Sequence, residues 1–346
     1  MTTIDTRAID HASAWKGGDF ESPDDFAFDL EPRHLAAFEA VVARAKRDGV
    51  GLQDLAAQHV AMPEIEDDLL AIRDELMEGR GLIVVRGFPI ETMSEEDLGI
   101  VYWAIGSYFG HGVAQSPMGD RLGYVTDVSE PGKRERGYRS AKELRLHTDN
   151  DDIVGLMCIR QAKSGGMSRL SSSVAIHNEI AATRPDLLEP LYEGFHYHWF
   201  GEQPPGQGVV TDYKVPVFCR EDGKLSACFL REFIEMGAEE LGQPLSDKQV
   251  EALDCFEAVA NRDDVVLTFQ LEPGWTSFIN NYTVLHSRTG FEDWPELDRR
   301  RLLFRLWLKA DPPRPVHQNL RRYYGVDGMH VDGREHTYFE ADRASA

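Results

Sequence analysis

Positive charge is what this sequence has least of. Its 346 residues carry 37 lysines and arginines against 59 aspartates and glutamates, a formal net charge of −22. A nucleic-acid binder must present a basic surface to phosphates, so the balance argues against that partner class, and the acidic excess mostly serves solubility. Cysteine is scarce too. Cys158, Cys219, Cys228 and Cys255 form no Cys-x-x-Cys pair, which indicates neither a zinc knuckle nor a disulfide framework and makes a reducing cytoplasm the default. No run approaches the roughly 18 apolar residues of a membrane span. Met1 to Thr6 lack the basic and apolar regions of an export signal, and no internal repeat is evident. The expectation is a cytoplasmic protein with a small-molecule substrate and no nucleic-acid or membrane partner, with a homo-oligomer left open.

What is present suffices for a real core, since 42% of the residues are apolar. Residues 1 to about 30 read as an arm laid over that core or partly disordered. Leu35, Phe38, Val41, Val42 and Ala45 predict a helix ending near Gly49, and Leu69, Leu70, Ile72, Leu76 and Met77 a second one before Gly79. Ser94 with Asp97 opens another, and Ser246 with Gln249 forms a capping box. Strands are predicted at 81–88, 153–162, through Ser173, at 265–271 and around His286, with a short helix near 178–184. The expected organisation is 1–80 as an N-terminal arm and helices packed on the core, 81–316 as the core with a helical insert at about 177–264, and 317–346 as a C-terminal tail. The class is mainly β with flanking helices, an antiparallel barrel or sandwich.

The chemistry gathers at Arg145-Leu146-His147-Thr148-Asp149-Asn150. Residues i and i+2 of an extended strand share a face, so His147 and Asp149 point the same way. His286 is the best candidate for a third ligand. Two histidines and one carboxylate leave three metal positions open, the arrangement used for non-haem Fe(II). Downstream, Leu302, Phe304, Leu306 and Leu308 form one apolar face, while Arg301, Leu303, Arg305 and Trp307 form the other. Guanidiniums on an otherwise apolar face need anions, and their fork suits a carboxylate. Four residues apart, at about 3.3 Å per residue, their stems would lie roughly 13 Å from each other and serve two anions.

With these residues in place the chain resembles the taurine/alpha-ketoglutarate-dependent dioxygenases and the related clavaminate-synthase-like group. His147, Asp149, His286 and Arg301 with Arg305 match that family's His-x-Asp, distal His and Arg-x-x-x-Arg, from about Gly81 to Pro315. Gly165-Gly166-Met167-Ser168 is similar to its Gly-Gly-x-Thr, with the hydroxyl kept. The resemblance implies a double-stranded β-helix (jelly-roll) core and Fe(II) held by His147, Asp149 and His286. It further implies 2-oxoglutarate on Arg301 and Ser168, with Arg300 the alternative to Arg301, and a substrate acid group on Arg305. Consumption of O2 with release of succinate and CO2 follows, most simply as hydroxylation of an unactivated C–H bond in a small carboxylate- or amino-acid-like substrate. The presence of Asp149 disfavours halogenation.

Other readings stand beside this one. His196 and His198, with Glu202 beyond them, resemble a cupin metal motif, and a non-catalytic barrel acting as a binding module is the alternative from another class. Gln115 and Asn281 are substrate-pocket candidates, and Asp151 and Asp152 are expected on a solvated face.

Overall fold

Helix ends show most directly why the chain folds as it does. In the computed structural model, which describes residues 6–116, 119–128, 140–322 and 328–331, the arm crosses the core and buries Trp15, whose indole donates to the Arg80 carbonyl. It leads into β1 (Ala27–Asp29) and α1 (Pro32–Asp48). Pro32 opens α1 where no N–H is needed, and Gly49 closes it with φ 63°, in the left-handed region. Next come α2 (Ala57–Val60), α3 (Glu66–Met77), β2 (Leu82–Arg86) and α4 (Glu95–Gly106), the last capped as expected by Ser94.

Short strands follow: β3 (Gly110–Gly112), β4 (Gly123–Val125), β5 (Leu144–His147), β6 (Ile153–Arg160), β7 (Ser164–Gly165) and β8 (Ser168–Ser172). The insert then contributes α5 (Ser173–Thr183), α6 (Leu188–Glu193), β9 (Phe218–Glu221), β10 (Lys224–Ala227), α7 (Arg231–Glu240) and α8 (Asp247–Ala260). The chain returns through β11 (Leu267–Phe269), β12 (Trp275–Asn280), β13 (Val284–Arg288), β14 (Phe291–Glu292) and β15 (Leu302–Ala310).

Two sheets make the barrel. The larger runs β1-β2-β12-β6-β15-β3, with β4 also on β15, and the smaller runs β11-β8-β13-β5. The predicted two faces of β15 are both present. Leu302, Phe304, Leu306 and Leu308 pack into the core shared with α1, α3 and α4, whereas Leu303 and Trp307 join Leu170, Phe269 and Val284 in the interior between the sheets. A third apolar cluster belongs mainly to the insert and reaches Leu146 and Leu285, neighbours of His147 and His286. The mainly-β jelly-roll with flanking helices expected from the sequence is the architecture found.

The departures are local. α5 begins at Ser173, about five residues earlier than the helix expected near 178–184, because Ser172 accepts the Ala175 N–H at 3.0 Å and caps it. The β9–β10 hairpin turns at Asp222-Gly223, both at positive φ, as the Asp-Gly pair requires. Among the described residues no helix is long and apolar enough to cross a membrane.

Candidate metal centre

Strand register builds the site. His286 lies directly opposite His147 on β5 and Leu170 on β8, and Arg288 lies opposite Ser168. Directly opposed residues of an antiparallel pair share a face, so His147, His286, Ser168 and Arg288 all turn to one side of the small sheet. Asp149 follows β5 by two residues and closes on both rings. Its Oδ1 is 3.8 Å from His147 Nε2, and its Oδ2 is 3.6 Å from His286 Nε2. One donor atom from each of the three lies within 4.8 Å of the others, the one such cluster of metal-ligating side chains among the described residues.

Surrounding groups fix the donors. His147 donates through Nδ1 to the Arg145 carbonyl at 2.8 Å, which leaves Nε2 with a lone pair facing the cluster. Trp307 donates its indole N–H to Asp149 Oδ2 at 2.7 Å. Asn281 accepts the Asp149 backbone N–H at 2.9 Å and donates to the Asp151 carbonyl at 2.7 Å. Burial, followed by the neighbouring His286, pushes the His147 pKa down to about 4, so the ring is neutral at pH 7. Burial alone would raise Asp149, but His286, Arg305 and His147 outweigh it and hold the carboxyl well below the usual range. A neutral imidazole and an ionised carboxylate are the protonation states a divalent cation requires. Two nitrogens and one oxygen converging from one side fit iron(II).

The arginines occupy different ground. Arg305 donates from Nε to Gln115 Oε1 at 2.7 Å, lies 4.4 Å from the Trp307 ring centroid and approaches Asp149 Oδ2 at 3.8 Å. Gln115 in turn donates to the Arg305 and Arg121 carbonyls, so the amide grips Arg305 by both ends. Arg301 is 8% exposed, and its Nη1 is buried with no hydrogen-bond acceptor among the described residues. Burial pushes its pKa down to about 10, still cationic at neutral pH. Arg300 instead spends its guanidinium on the Trp294 and Asp127 carbonyls. Gly166, at φ 71°, lets Arg301 in, since a Cβ there would stand 3.3 Å from Arg301 Nε. The register shift beside Leu302 and Leu303 puts its extra residue, Ile159, on β6, so β15 keeps its alternation between the two arginines.

Two residues that the sequence reading did not place at the site belong here. Arg288 lies 4.6 Å from the Phe291 ring centroid and Arg301 5.2 Å from the same centroid, while Arg288 donates to the Lys142 and Ser140 carbonyls. Burial, then Arg301, lowers the Arg288 pKa to about 9. Its signal is the His-x-Arg spacing from His286. The other is Trp307, whose place on the arginine face of β15 is signal enough. Asp152 corrects the expectation of a solvated face: it is 2% exposed and accepts the Ala310 N–H. The cupin-type reading also fails. His196 Nδ1 is bonded to the Thr211 carbonyl and His198 Nδ1 to the Phe200 N–H, and they form no metal-ligating cluster with Glu202.

A jelly-roll with two imidazoles, one carboxylate and an arginine-lined interior defines a non-haem iron oxygenase. Residues 48–307 match the family model described as "Taurine catabolism dioxygenase TauD, TfdA family", and the chain belongs to that family. It is therefore an Fe(II)- and 2-oxoglutarate-dependent dioxygenase. The chain is 29% identical over 326 residues to "FR-33289 synthase" of Streptomyces rubellomurinus, covering 92% of this chain and 96% of that protein. It is 30% identical over 307 residues to "Taurine hydroxylase-like protein SAT17" of Stachybotrys chartarum, covering 85% and 77%. Among solved structures, asparagine oxygenase with Fe(II), 2S,3S-3-hydroxyasparagine and succinate superposes with TM-score 0.63 at 19% identity, covering 82% of this chain and 93% of that one.

Proposed function

We propose that the enzyme hydroxylates an unactivated C–H bond of a small amino-acid- or carboxylate-like substrate, R–H + 2-oxoglutarate + O2 giving R–OH + succinate + CO2. His147, Asp149 and His286 would hold Fe(II), which when bound supplies the activation of dioxygen. Arg301, with the Ser168 hydroxyl, takes the far carboxylate of 2-oxoglutarate, and Arg305 takes an acid group of the substrate. Gln115 aims Arg305, while Asn281 and Trp307 hold Asp149 in place, so Asn281 acts on the metal ligand rather than on substrate. Residues 81–316 serve as the catalytic core, the insert at about 177–264 walls the pocket, and the four free cysteines suit a reducing cytoplasm.

The observation that carries this reading is the three-donor cluster in a barrel that also buries the Arg301 guanidinium, whose Nη1 has no acceptor among the described residues. A buried donor left unsatisfied is costly, and a carboxylate received in the guanidinium fork removes the cost. The asparagine oxygenase superposition, with an amino-acid product and succinate bound to that protein, supports the substrate class.

The test is anaerobic titration of the purified protein with Fe(II) and 2-oxoglutarate. A visible metal-to-ligand charge-transfer band is expected in the wild type, lost in His147→Ala and shifted to much higher 2-oxoglutarate concentration in Arg301→Gln. Normal iron binding by His147→Ala would overturn the assignment of the metal ligands.

A further inference from the structure

The segment beyond β15 comes back to the site. Arg321 Nη2 stands 3.9 Å from Asp152 Oδ1 and donates to the Arg314 carbonyl. Arg322, next in the chain, is only 5% exposed; its Cζ is 5.3 Å from the Tyr197 ring centroid and 5.7 Å from that of Phe233. Tyr213 donates its hydroxyl to the Arg322 carbonyl at 3.2 Å and pins the backbone. Among the described residues the Arg322 Nε is buried without a hydrogen-bond partner. Two aromatic faces compensate part of the lost hydration of a cation, but they cannot accept the in-plane Nε–H.

The wall behind Arg322 is fastened to the metal ligands. The Tyr197 hydroxyl donates to the Cys228 carbonyl and accepts the Leu230 N–H. Between those residues, Phe229 exchanges two hydrogen bonds with Thr148, each 2.9 Å, and Thr148 separates His147 from Asp149. Past Arg322, Met329 donates to the Ala114 carbonyl, one residue from the Gln115 that grips Arg305. The C-terminal segment is thus anchored both at the wall carrying Arg322 and at the support of Arg305.

We infer that Arg322 is a receptor for a second oxyanion of the substrate, planar or tetrahedral, at the end remote from the group on Arg305. This rests on the reading of Arg305 as a substrate receptor. It narrows the substrate class to compounds with two acid groups, such as an amino dicarboxylate or an amino acid bearing a tetrahedral oxyanion, in preference to their amides. The selectivity comes from a single buried fork flanked by Tyr197 and Phe233, which must exchange its hydration for an anion of matching geometry.

Matched pairs test this directly. The anaerobic Fe(II) and 2-oxoglutarate complex is titrated calorimetrically with L-aspartate, L-glutamate and 2-amino-3-phosphonopropionate, against L-asparagine and L-glutamine. At least one acid should bind tenfold or more tightly than the amides. Arg322→Gln should erase that preference while leaving affinity for 2-oxoglutarate unchanged, and Arg322→Lys should keep part of it. A wild type that binds no acid in preference to the amides overturns the inference, with no variant needed. So does an Arg322→Gln protein that melts lower yet keeps the preference, since that marks a packing role alone. Iron and 2-oxoglutarate binding in the same samples report separately on the parent reading.

Discussion

At the scale of single residues, Asp149 is held from every side: by Asn281 at its backbone, by Trp307 at Oδ2 and by Arg305 close to the same oxygen. Groups that orient a metal ligand commonly alter metal affinity by about 10–100-fold when removed. Trp307→Phe, which keeps the packing and deletes the N–H, is therefore expected to weaken iron binding about tenfold in an equilibrium competition with a chelator. The two adjacent arginines should separate cleanly. Truncating a buried charge partner costs about 2 kcal/mol or more, roughly thirtyfold, so Arg301→Gln should raise the KM for 2-oxoglutarate by at least that factor. Arg300→Gln, whose guanidinium serves the Trp294, Asp127 and Pro295 carbonyls, should leave it within about twofold; equal effects would count against Arg301 as the receptor. Asp151 gives a pH signature. Its Oδ2 is buried without a hydrogen-bond partner among the described residues, and burial, then Asp152 and Asp149, pushes its pKa up to about 7. A carboxyl raised on folding contributes stability that is complete below its unfolded value of 3.8 and lost as pH rises through about 7. Metal-free Asp151→Asn should accordingly melt higher than wild type at about pH 8, with the gap closing toward about pH 5; parallel melting profiles would refute the burial.

At the scale of elements, the Gly165-Gly166 turn and β15 jointly shape the cosubstrate end. Gly166→Ala places a side chain in the left-handed region, costing about 1 kcal/mol, and presses on Arg301. The expected result is a several-fold rise in the KM for 2-oxoglutarate at unchanged iron affinity, read from the same titration. β15 was legible in advance because its alternation is nearly perfect, and the His-x-Asp pair because period two places both side chains on one face. Less was legible where partners lie far away in sequence. Asp152 looks like any acidic loop residue until the Ala310 N–H arrives. Asn281 looks like a pocket amide until the Asp149 N–H takes its oxygen. α7 is amphipathic but short, and Phe233 and Ile234 find their core only against the rest of the insert. The aromatic bracket around Arg322 draws on Tyr197, Phe233 and the C-terminal segment, which no local pattern links.

At the scale of the whole molecule, the proposed ligands and receptors come from both sheets: β5 and β13 supply the histidines, and the Arg301 and Arg305 guanidiniums belong to the β15 region. Iron and 2-oxoglutarate together should then clamp one sheet to the other. Cosubstrate at a hundred times its dissociation constant adds about 2.7 kcal/mol, several degrees of melting temperature, seen by calorimetry with both ligands present. His286→Ala should melt like the metal-free wild type and show no such shift.

The pairing of β5 with β13 also sets a timetable. A ribosome completes His147 and Asp149 while the whole insert is still unmade, and a domain takes its final form as its chain emerges. Until His286 leaves the exit tunnel, the growing polypeptide would offer iron only two of the three proposed donors. On the proposed ligand set, metallation would await the finished barrel, and a chain cut short inside the insert would be spared a redox-active ion.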